Sequence, residues 1–229
     1  MAMPLLLAGL LALLGAGACE RSETPAPQRS AAAQAGSFQR NAAPDAAGVP
    51  AILMLGDSLT AGYGLLSERS FPALIQSRLR AGGYPHRVVN AGVSGDTSAG
   101  GLARLDWLLR QRVDVMVLAL GANDGLRGQD PQATRGNLAQ IIERAQARGI
   151  TVVLAGMEMP LNYGADYIRR YRAIFPALAE QYGLALIPFL LEGVALRPEL
   201  NQPDGIHPNA QGAKIVAANV WRVLEGVLQ

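Results

Sequence analysis

Two short segments far apart in the chain carry side chains that together could perform nucleophilic catalysis. Ser58 lies in Gly-Asp-Ser-Leu directly after the apolar run 51–55, and His207 lies three residues after Asp204 in Asp-Gly-Ile-His-Pro. A serine hydroxyl is a weak nucleophile at neutral pH unless a base takes its proton, and the base works best when a carboxylate holds its ring. The pattern therefore indicates a triad of Ser58, His207 and Asp204.

The sequence offers one rival for each of the first two roles. His86 is the only other histidine, but it precedes a strand pattern instead of following one, which predicts an exposed turn at the wrong end of the sheet. Ser94 lies in Gly-Val-Ser-Gly-Asp, where Asp96 replaces the last glycine of the Gly-x-Ser-x-Gly elbow. Helix capping by Ser58 and a turn or capping role for Asp204 are the structural alternatives.

Composition narrows the class of protein. Half of the 229 residues are apolar, 17% are charged and the formal net charge is +2, as in ordinary globular proteins. No stretch of Lys and Arg alternates with aromatic residues, which argues against a nucleic-acid partner. One cysteine with two histidines makes no convincing zinc site, so we expect neither a metal nor a cofactor.

The first fifty residues read as a leader and a tether. Residues 5–18 are apolar or small, which is too short for a membrane span but suits the core of a signal peptide over residues 1–18. Cys19 follows directly and is the expected site of lipid attachment. Residues 19–49 are rich in Ala, Pro, Ser and Gln and predict a flexible linker before a domain at 50–229. We therefore expect export to the periplasm, with membrane anchorage through Cys19, or secretion.

The domain alternates two kinds of pattern. Apolar runs typical of buried parallel strands recur at 51–55, 87–90, 113–120, 151–155 and 185–188. Stretches with helical periodicity lie at 71–81, 99–110, 131–148, 166–182 and 210–228. This alternation predicts an α/β fold, a three-layer sandwich with a mainly parallel five-stranded sheet.

The polar clusters of the domain fall at one edge of this predicted sheet. Ser58 follows the first strand, residues 92–96 follow the second, residues 121–124 follow the third, and residues 204–207 precede the last helix. Sheets of this kind bind ligands beyond the carboxyl ends of their strands. We therefore expect all four clusters to meet in one site.

These four clusters resemble the four sequence blocks of the SGNH (GDSL) hydrolase family. The blocks are Gly56-Asp57-Ser58-Leu59, then Gly95, then Gly121-Ala122-Asn123-Asp124, then Asp204-Gly205-Ile206-His207. Residues 90–98, 123–128 and 160–164 further resemble the bacterial branch that includes thioesterase I/lysophospholipase L1 and related arylesterases. The resemblance covers residues 50–228 and implies a flavodoxin-like hydrolase fold. Ala122 departs from it, since a second glycine is common there.

The resemblance assigns a role to each matching residue. Ser58 would attack an ester or thioester carbonyl, His207 would be general base and then general acid, and Asp204 would orient the ring. The backbone N–H groups of Ser58 and Gly95 and the side-chain amide of Asn123 would form the oxyanion hole. For Gly95 and Asn123 the alternative is an ordinary turn role. Asp57 and Asp124 are interpreted as structural hydrogen-bond acceptors.

The sequence defines the substrate less sharply than it defines the catalytic residues. In that branch the matching loops flank the acyl groove, so Leu126, Leu161 and Tyr163 are expected to contact an acyl chain, with loop packing as the alternative. An exported enzyme would meet lipid, lysophospholipid or aryl esters rather than cytosolic acyl-CoA, and no protein partner is implied. Two further readings are a carbohydrate O-acetylesterase or O-acetyltransferase and a non-catalytic binding lipoprotein on the same fold.

Overall fold

The computed structural model describes residues 48–229. The expected signal peptide, Cys19 and all but the end of the expected linker lie outside the described residues. Within the described part, no helix is long and apolar enough to cross a lipid bilayer.

Five strands form one sheet in which every pairing of neighbouring strands is parallel. The spatial order is β2-β1-β3-β4-β5, the order of flavodoxin-like sheets. β1 and β3 are buried along their whole length because helices cover both faces of the sheet. The strands are β1 (Ala51–Gly56), β2 (Arg87–Gly92), β3 (Val115–Ala119), β4 (Thr151–Ala155) and β5 (Ala185–Ile187).

The helices lie in two layers, because the chain moves in opposite directions along the sheet. The crossover from β1 to β2 runs one way, and those from β2 to β3, β3 to β4 and β4 to β5 run the other way, so right-handed connections place their helices on opposite faces. The helices are α1 (Ser58–Ala61), α2 (Phe71–Ala81), α3 (Ser98–Leu108), α4 (Ala122–Leu126), α5 (Pro131–Gln146), α6 (Ala165–Arg172), α7 (Ile174–Tyr182) and α8 (Ala210–Val227).

These helices pair within their layers. Helix α2 packs against α8, while α5 packs against both α3 and α7. Together with the sheet they form the expected three-layer α/β sandwich, so the predicted fold class is confirmed.

The predicted helix over 166–182 is wrong in one respect, since the structure divides it into α6 and α7 at Ala173. Pro176 explains the break. It has no N–H to donate to the carbonyl of Arg172, and its ring would collide with that carbonyl in a continuous helix. The two short helices α1 and α4 have no helical periodicity in the sequence, because four or five residues are too few to show an apolar period.

Candidate active site

The predicted clusters meet at the carboxyl edge of the sheet, where the chain reverses its direction of winding. β1 lies between β2 and β3, and its crossovers leave toward opposite faces. This arrangement opens a crevice beyond the end of β1, at the usual position of a ligand site in such folds. Ser58 follows β1 by two residues and stands in that crevice.

Ser58 is the first residue of α1, directly after a tight strand-to-helix turn. Gly56 ends β1, and a Cβ there would lie 2.0 Å from the Thr60 Oγ1 atom, so only glycine fits. The side chain that caps α1 is that of Asp57, which accepts a hydrogen bond from the Leu59 amide at 3.0 Å. Capping therefore does not use the Ser58 hydroxyl, which is free to bond elsewhere.

The Ser58 hydroxyl contacts an imidazole that comes from the other end of the domain. Ser58 Oγ and His207 Nε2 are 2.8 Å apart, and His207 Nδ1 is 2.8 Å from an oxygen of Asp204. With a proton on Nδ1, the ring donates to Asp204 and presents the lone pair of Nε2 to the serine proton. This arrangement can deprotonate Ser58 as it attacks an electrophile.

Asp204 is held as an ionised carboxylate by a turn of its own segment. One carboxylate oxygen accepts the Ile206 and His207 amides at 2.9 and 3.0 Å, and the other faces the His207 ring. The His207 and Ile206 amides, with the His207 ring, lower the pKa of Asp204 to about 2. Gly205, at φ +71°, allows the turn.

Gly95 and Asn123 lie on the loops that follow β2 and β3. Gly95 has φ +81°, a backbone conformation that favours glycine, and a Cβ there would contact only Arg127, at 3.7 Å. The Asn123 side-chain nitrogen donates to the Asp96 carbonyl at 2.9 Å, and it lies 3.5 Å from an Asp57 oxygen. One N–H is thus well bonded, while the other makes at most a long contact and is available to a developing oxyanion.

Two buried carboxylates support these loops. Asp57 is fully buried, and burial raises its pKa to about 6. Asp124, also fully buried, accepts hydrogen bonds from the backbone amide and hydroxyl of Ser98, and Thr134 lies 3.4 Å from it. Both residues therefore act as hydrogen-bond acceptors in the structure, in line with the sequence interpretation.

The rival residues do not enter this arrangement. His86 precedes β2, at the amino edge of the sheet, although it is half-buried and not exposed as predicted. Ser94 is exposed on the loop after β2, and the His207 ring bonds to Ser58 instead.

The sequence from residue 54 to residue 215 matches the model of the GDSL-like lipase/acylhydrolase family. This stretch includes the Ser58 turn, both loops of the crevice and the Asp204–His207 segment. The chain belongs to that family. The predicted resemblance is confirmed.

Named relatives of this GDSL-like hydrolase are esterases. It is 45% identical over 178 residues to esterase TesA of Pseudomonas aeruginosa, covering 77% of this chain and 89% of the relative. It is 43% identical to thioesterase 1/protease 1/lysophospholipase L1 of Escherichia coli K12, covering 75% and 82%. Among solved structures, that of TesA has a TM-score of 0.75 at 44% identity and covers 78% of this chain and 99% of that one.

Three residues of this GDSL-like hydrolase shape the site without having been predicted. The Arg104 guanidinium bonds to Asp96 at 2.7 Å and to the Gly56 carbonyl at 3.1 Å, which joins the loop after β2 to the end of β1. The Arg127 guanidinium donates to the Gly95 carbonyl at 2.9 Å. The Gln202 side chain donates to the backbone of the Ser58 and His207 segments. These contacts join residues far apart in sequence, so no local sequence pattern predicts them.

The three residues expected to contact an acyl chain lie on two neighbouring segments. The Tyr163 hydroxyl donates to the Leu126 carbonyl at 2.7 Å, so Tyr163 and Leu126 are in contact. Leu126 ends α4, the helix that carries Asn123. Leu161 begins a short 3-10 helix (Leu161–Tyr163) and is 86% exposed. An acyl chain beside Asn123 would therefore find apolar surface on this side.

Metal-ligating side chains are not gathered anywhere in the described part of the chain. Among residues 48–229, no three side chains of His, Cys, Asp or Glu are placed to hold a metal ion.

Proposed function

We propose that this chain is a serine esterase that hydrolyses carboxylic ester or thioester bonds through an acyl-serine intermediate. The observation that carries the proposal is the continuous bond path from Ser58 Oγ to His207 Nε2 and from His207 Nδ1 to Asp204, each link 2.8 Å long. Family membership and the esterase names of the relatives support the same chemistry.

The first half of the reaction forms the acyl-enzyme. Ser58 Oγ attacks the carbonyl carbon while His207 Nε2 takes the hydroxyl proton. The carbonyl π electrons move onto oxygen, which the amides of Ser58 and Gly95 and the Asn123 side chain stabilise. When the tetrahedral intermediate collapses, the bond to the leaving oxygen or sulfur breaks, and His207 gives that atom its proton.

The second half repeats these steps with water as nucleophile. His207 deprotonates the water, the carboxylic acid is released, and the proton returns to Ser58. Asp204 stays ionised throughout because its pKa is about 2. It orients the ring and stabilises the imidazolium. A loss of activity in mildly acid solution would therefore not report protonation of Asp204.

Covalent labelling tests the nucleophile directly. A fluorophosphonate probe should label the wild-type protein at one serine, and Ser58→Ala should abolish both labelling and ester hydrolysis. Ser94→Ala is the matched control and should keep labelling, since Ser94 lies on the adjacent loop but does not contact His207. Labelling that persists in Ser58→Ala would remove Ser58 from this role.

We infer that the substrates are acyl or aryl esters met outside the cytoplasm, with the acyl chain resting on Leu126, Leu161 and Tyr163. The exposure of Leu161 and the contact between Tyr163 and Leu126 support this side of the crevice. Rates on nitrophenyl esters of increasing chain length, lysophospholipids and acyl-CoA test the inference. Leu161→Ala should lower the rate of hydrolysis of long-chain esters more than that of acetyl esters. If acyl-CoA proves to be much the best substrate, the assignment is contradicted.

Export is a separate proposal that rests on residues 1–19. We propose a signal peptide over residues 1–18 and a mature protein that is periplasmic, with lipid attached to Cys19, or secreted. Mass spectrometry of the mature N-terminus would test it, because a lipidated Cys19 adds the mass of its acyl chains. An unmodified Cys19 at the mature terminus would leave export intact and remove the anchor.

A further inference from the structure

A narrow cleft opens beside Ser58 on the side of His207. The apolar side chains of Leu59, Leu65, Phe71, Leu191 and Val216 line it, together with Tyr63 and the two catalytic residues. Gly95 and Asn123 are not part of its lining. The cleft therefore lies on the side of Ser58 away from the other two oxyanion donors, and the acyl-binding residues proposed above do not border it.

The mechanism of ester cleavage determines which part of the substrate lies on this side of Ser58. In the tetrahedral intermediate the former carbonyl oxygen points to the oxyanion donors, whereas the leaving oxygen must lie near His207 Nε2 to receive its proton. The alcohol part of the ester is attached to that leaving oxygen. It must therefore extend from the His207 side, where this cleft begins.

Tyr63 stands at this position. Its ring centroid is 4.6 Å from that of His207, the two planes are inclined by 39°, and the tyrosine is 52% exposed. Its backbone is fixed at both ends, because its amide donates to the Ser58 carbonyl at 3.0 Å and its carbonyl accepts from Gln202 at 2.6 Å. The ring thus presents an apolar surface to the alcohol part of an ester that extends past the His207 imidazole.

The size and polarity of the cleft define the ligand it suits. It has room for about one water molecule, so a six-membered ring cannot enter fully and would lie at the mouth against Tyr63. No Asp, Glu, Lys or Arg is among the described residues that line the cleft. A charged phosphate headgroup would find no Lys or Arg there, whereas a phenyl ring could stack on Tyr63.

We propose that Tyr63 and the mouth of this cleft bind the alcohol part of the ester and favour an aromatic leaving group over an aliphatic one. This inference rests on the proposed esterase activity and names the leaving-group class that the same site prefers. Tyr63 is then a residue that determines leaving-group specificity.

Two esters with the same acyl group test the proposal. Phenyl butyrate and ethyl butyrate form the same butyryl-enzyme, so a difference in kcat/KM between them arises before deacylation. Tyr63→Ala should lower the phenyl-to-ethyl ratio of kcat/KM about three- to tenfold relative to wild type, the range expected for loss of one aromatic pair. Tyr63→Phe keeps the ring and should keep the ratio.

Matched variants separate the failure modes. Leu66→Ala alters a neighbouring side chain that is 60% exposed and does not line the cleft, so its ratio should equal that of wild type. An equal fall for both esters in Tyr63→Ala would overturn the proposal, because the ring would then act on His207 alone. Ser58→Ala serves the parent proposal: if it is inactive while Tyr63→Ala keeps the ratio, the esterase stands and only the leaving-group assignment fails.

Discussion

The side-chain amide of Gln202 donates a hydrogen bond to the backbone carbonyl of Tyr63, 139 residues earlier in the chain, at 2.6 Å. The same nitrogen is 3.1 Å from the Pro208 carbonyl, and the Gln202 backbone amide donates to the His207 carbonyl at 2.7 Å. A Cβ on Gly64 would lie 2.0 Å from Gln202 Oε1, so glycine there makes room for this side chain. One glutamine therefore ties the segment after Ser58 to the segment of His207.

Removing this tie should slow catalysis more than it weakens binding. We expect Gln202→Leu to lower kcat about tenfold or more with little change in KM, since small displacements of reacting groups carry large rate penalties. Gln146→Leu is the control, because it also removes a hydrogen bond from a glutamine amide to a backbone carbonyl, that of Tyr182, outside the crevice. Steady-state kinetics on one nitrophenyl ester is the measurement. Equal kcat in the two variants would show that Gln202 does not position Ser58 and His207 relative to each other.

A row of three tyrosines supports the helix that carries Asn123. Tyr163, Tyr167 and Tyr171 donate to the carbonyls of Leu126, Gln129 and Gly121, and neighbouring rings stack with centroids 6.1 and 5.8 Å apart. Tyr171 is fully buried at the inner end of the row. A Cβ on Gly121 would lie 2.8 Å from its hydroxyl, so this glycine lets the tyrosine approach the backbone.

The inner tyrosine gives a prediction for stability and rate together. Tyr171→Phe should lower the free energy of unfolding by about 1–2 kcal/mol, because the Gly121 carbonyl keeps its bond to the Gly125 amide but loses its second partner. It should also lower kcat, since Gly121 precedes Asn123 by two residues. Tyr182→Phe removes an exposed hydroxyl that bonds to Glu143 and should change both quantities less. Denaturant unfolding and kinetics of the two variants decide, and identical losses would contradict a special role for Tyr171.

The sequence predicts the strands and catalytic residues of this site better than the side chains that join its segments to one another. Buried parallel strands are apolar along their length, so their positions can be read directly, and the carboxyl-edge rule then brings Ser58 and His207 together. Gln202 and Arg104 escape such reasoning because their partners are backbone carbonyls that meet only in the folded chain. The break between α6 and α7 is different, since Pro176 is a local signal in the sequence that by itself indicates where a continuous helix must end.

Asp57 makes stability depend on pH in a defined window. Burial disfavours the charged form and raises the pKa of Asp57 from 3.8, the value of an exposed aspartate, to about 6 in the folded chain. Between these values the folded chain holds a proton that the unfolded chain has released. The free energy of unfolding therefore falls as pH rises through the window, by up to about 3 kcal/mol in total.

Replacing this carboxylate should flatten that part of the profile. Asp57→Asn keeps an oxygen that can accept the Leu59 amide but cannot ionise, so its free energy of unfolding should fall less between pH 4 and pH 7. Asp204 does not interfere, since its pKa of about 2 confines its contribution to lower pH, where stability is lost as the pH falls. Urea unfolding at several pH values compares the two proteins, and parallel curves would contradict the raised pKa.

Leu196 offers a stabilising substitution away from the catalytic atoms. It has φ +62° and is the only non-glycine residue in the described part of the chain with positive φ, and 86% of it is exposed. A side chain in this conformation is strained by about 1–2 kcal/mol, which exceeds the entropic penalty of glycine, about 0.5–1 kcal/mol. Leu196→Gly should therefore raise Tm by about 1–4 °C.

Leu161 is the matched control for this change. It is equally exposed, at 86%, but its φ is not positive, so Leu161→Gly relieves no strain and should lower Tm slightly. Calorimetric scans of wild type and both variants under one condition give the comparison. Opposite signs of the two shifts are expected, because the same atoms are removed from two surface positions that differ in backbone conformation. A fall in Tm for both variants would mean that the left-handed backbone at Leu196 stores no strain that glycine can release.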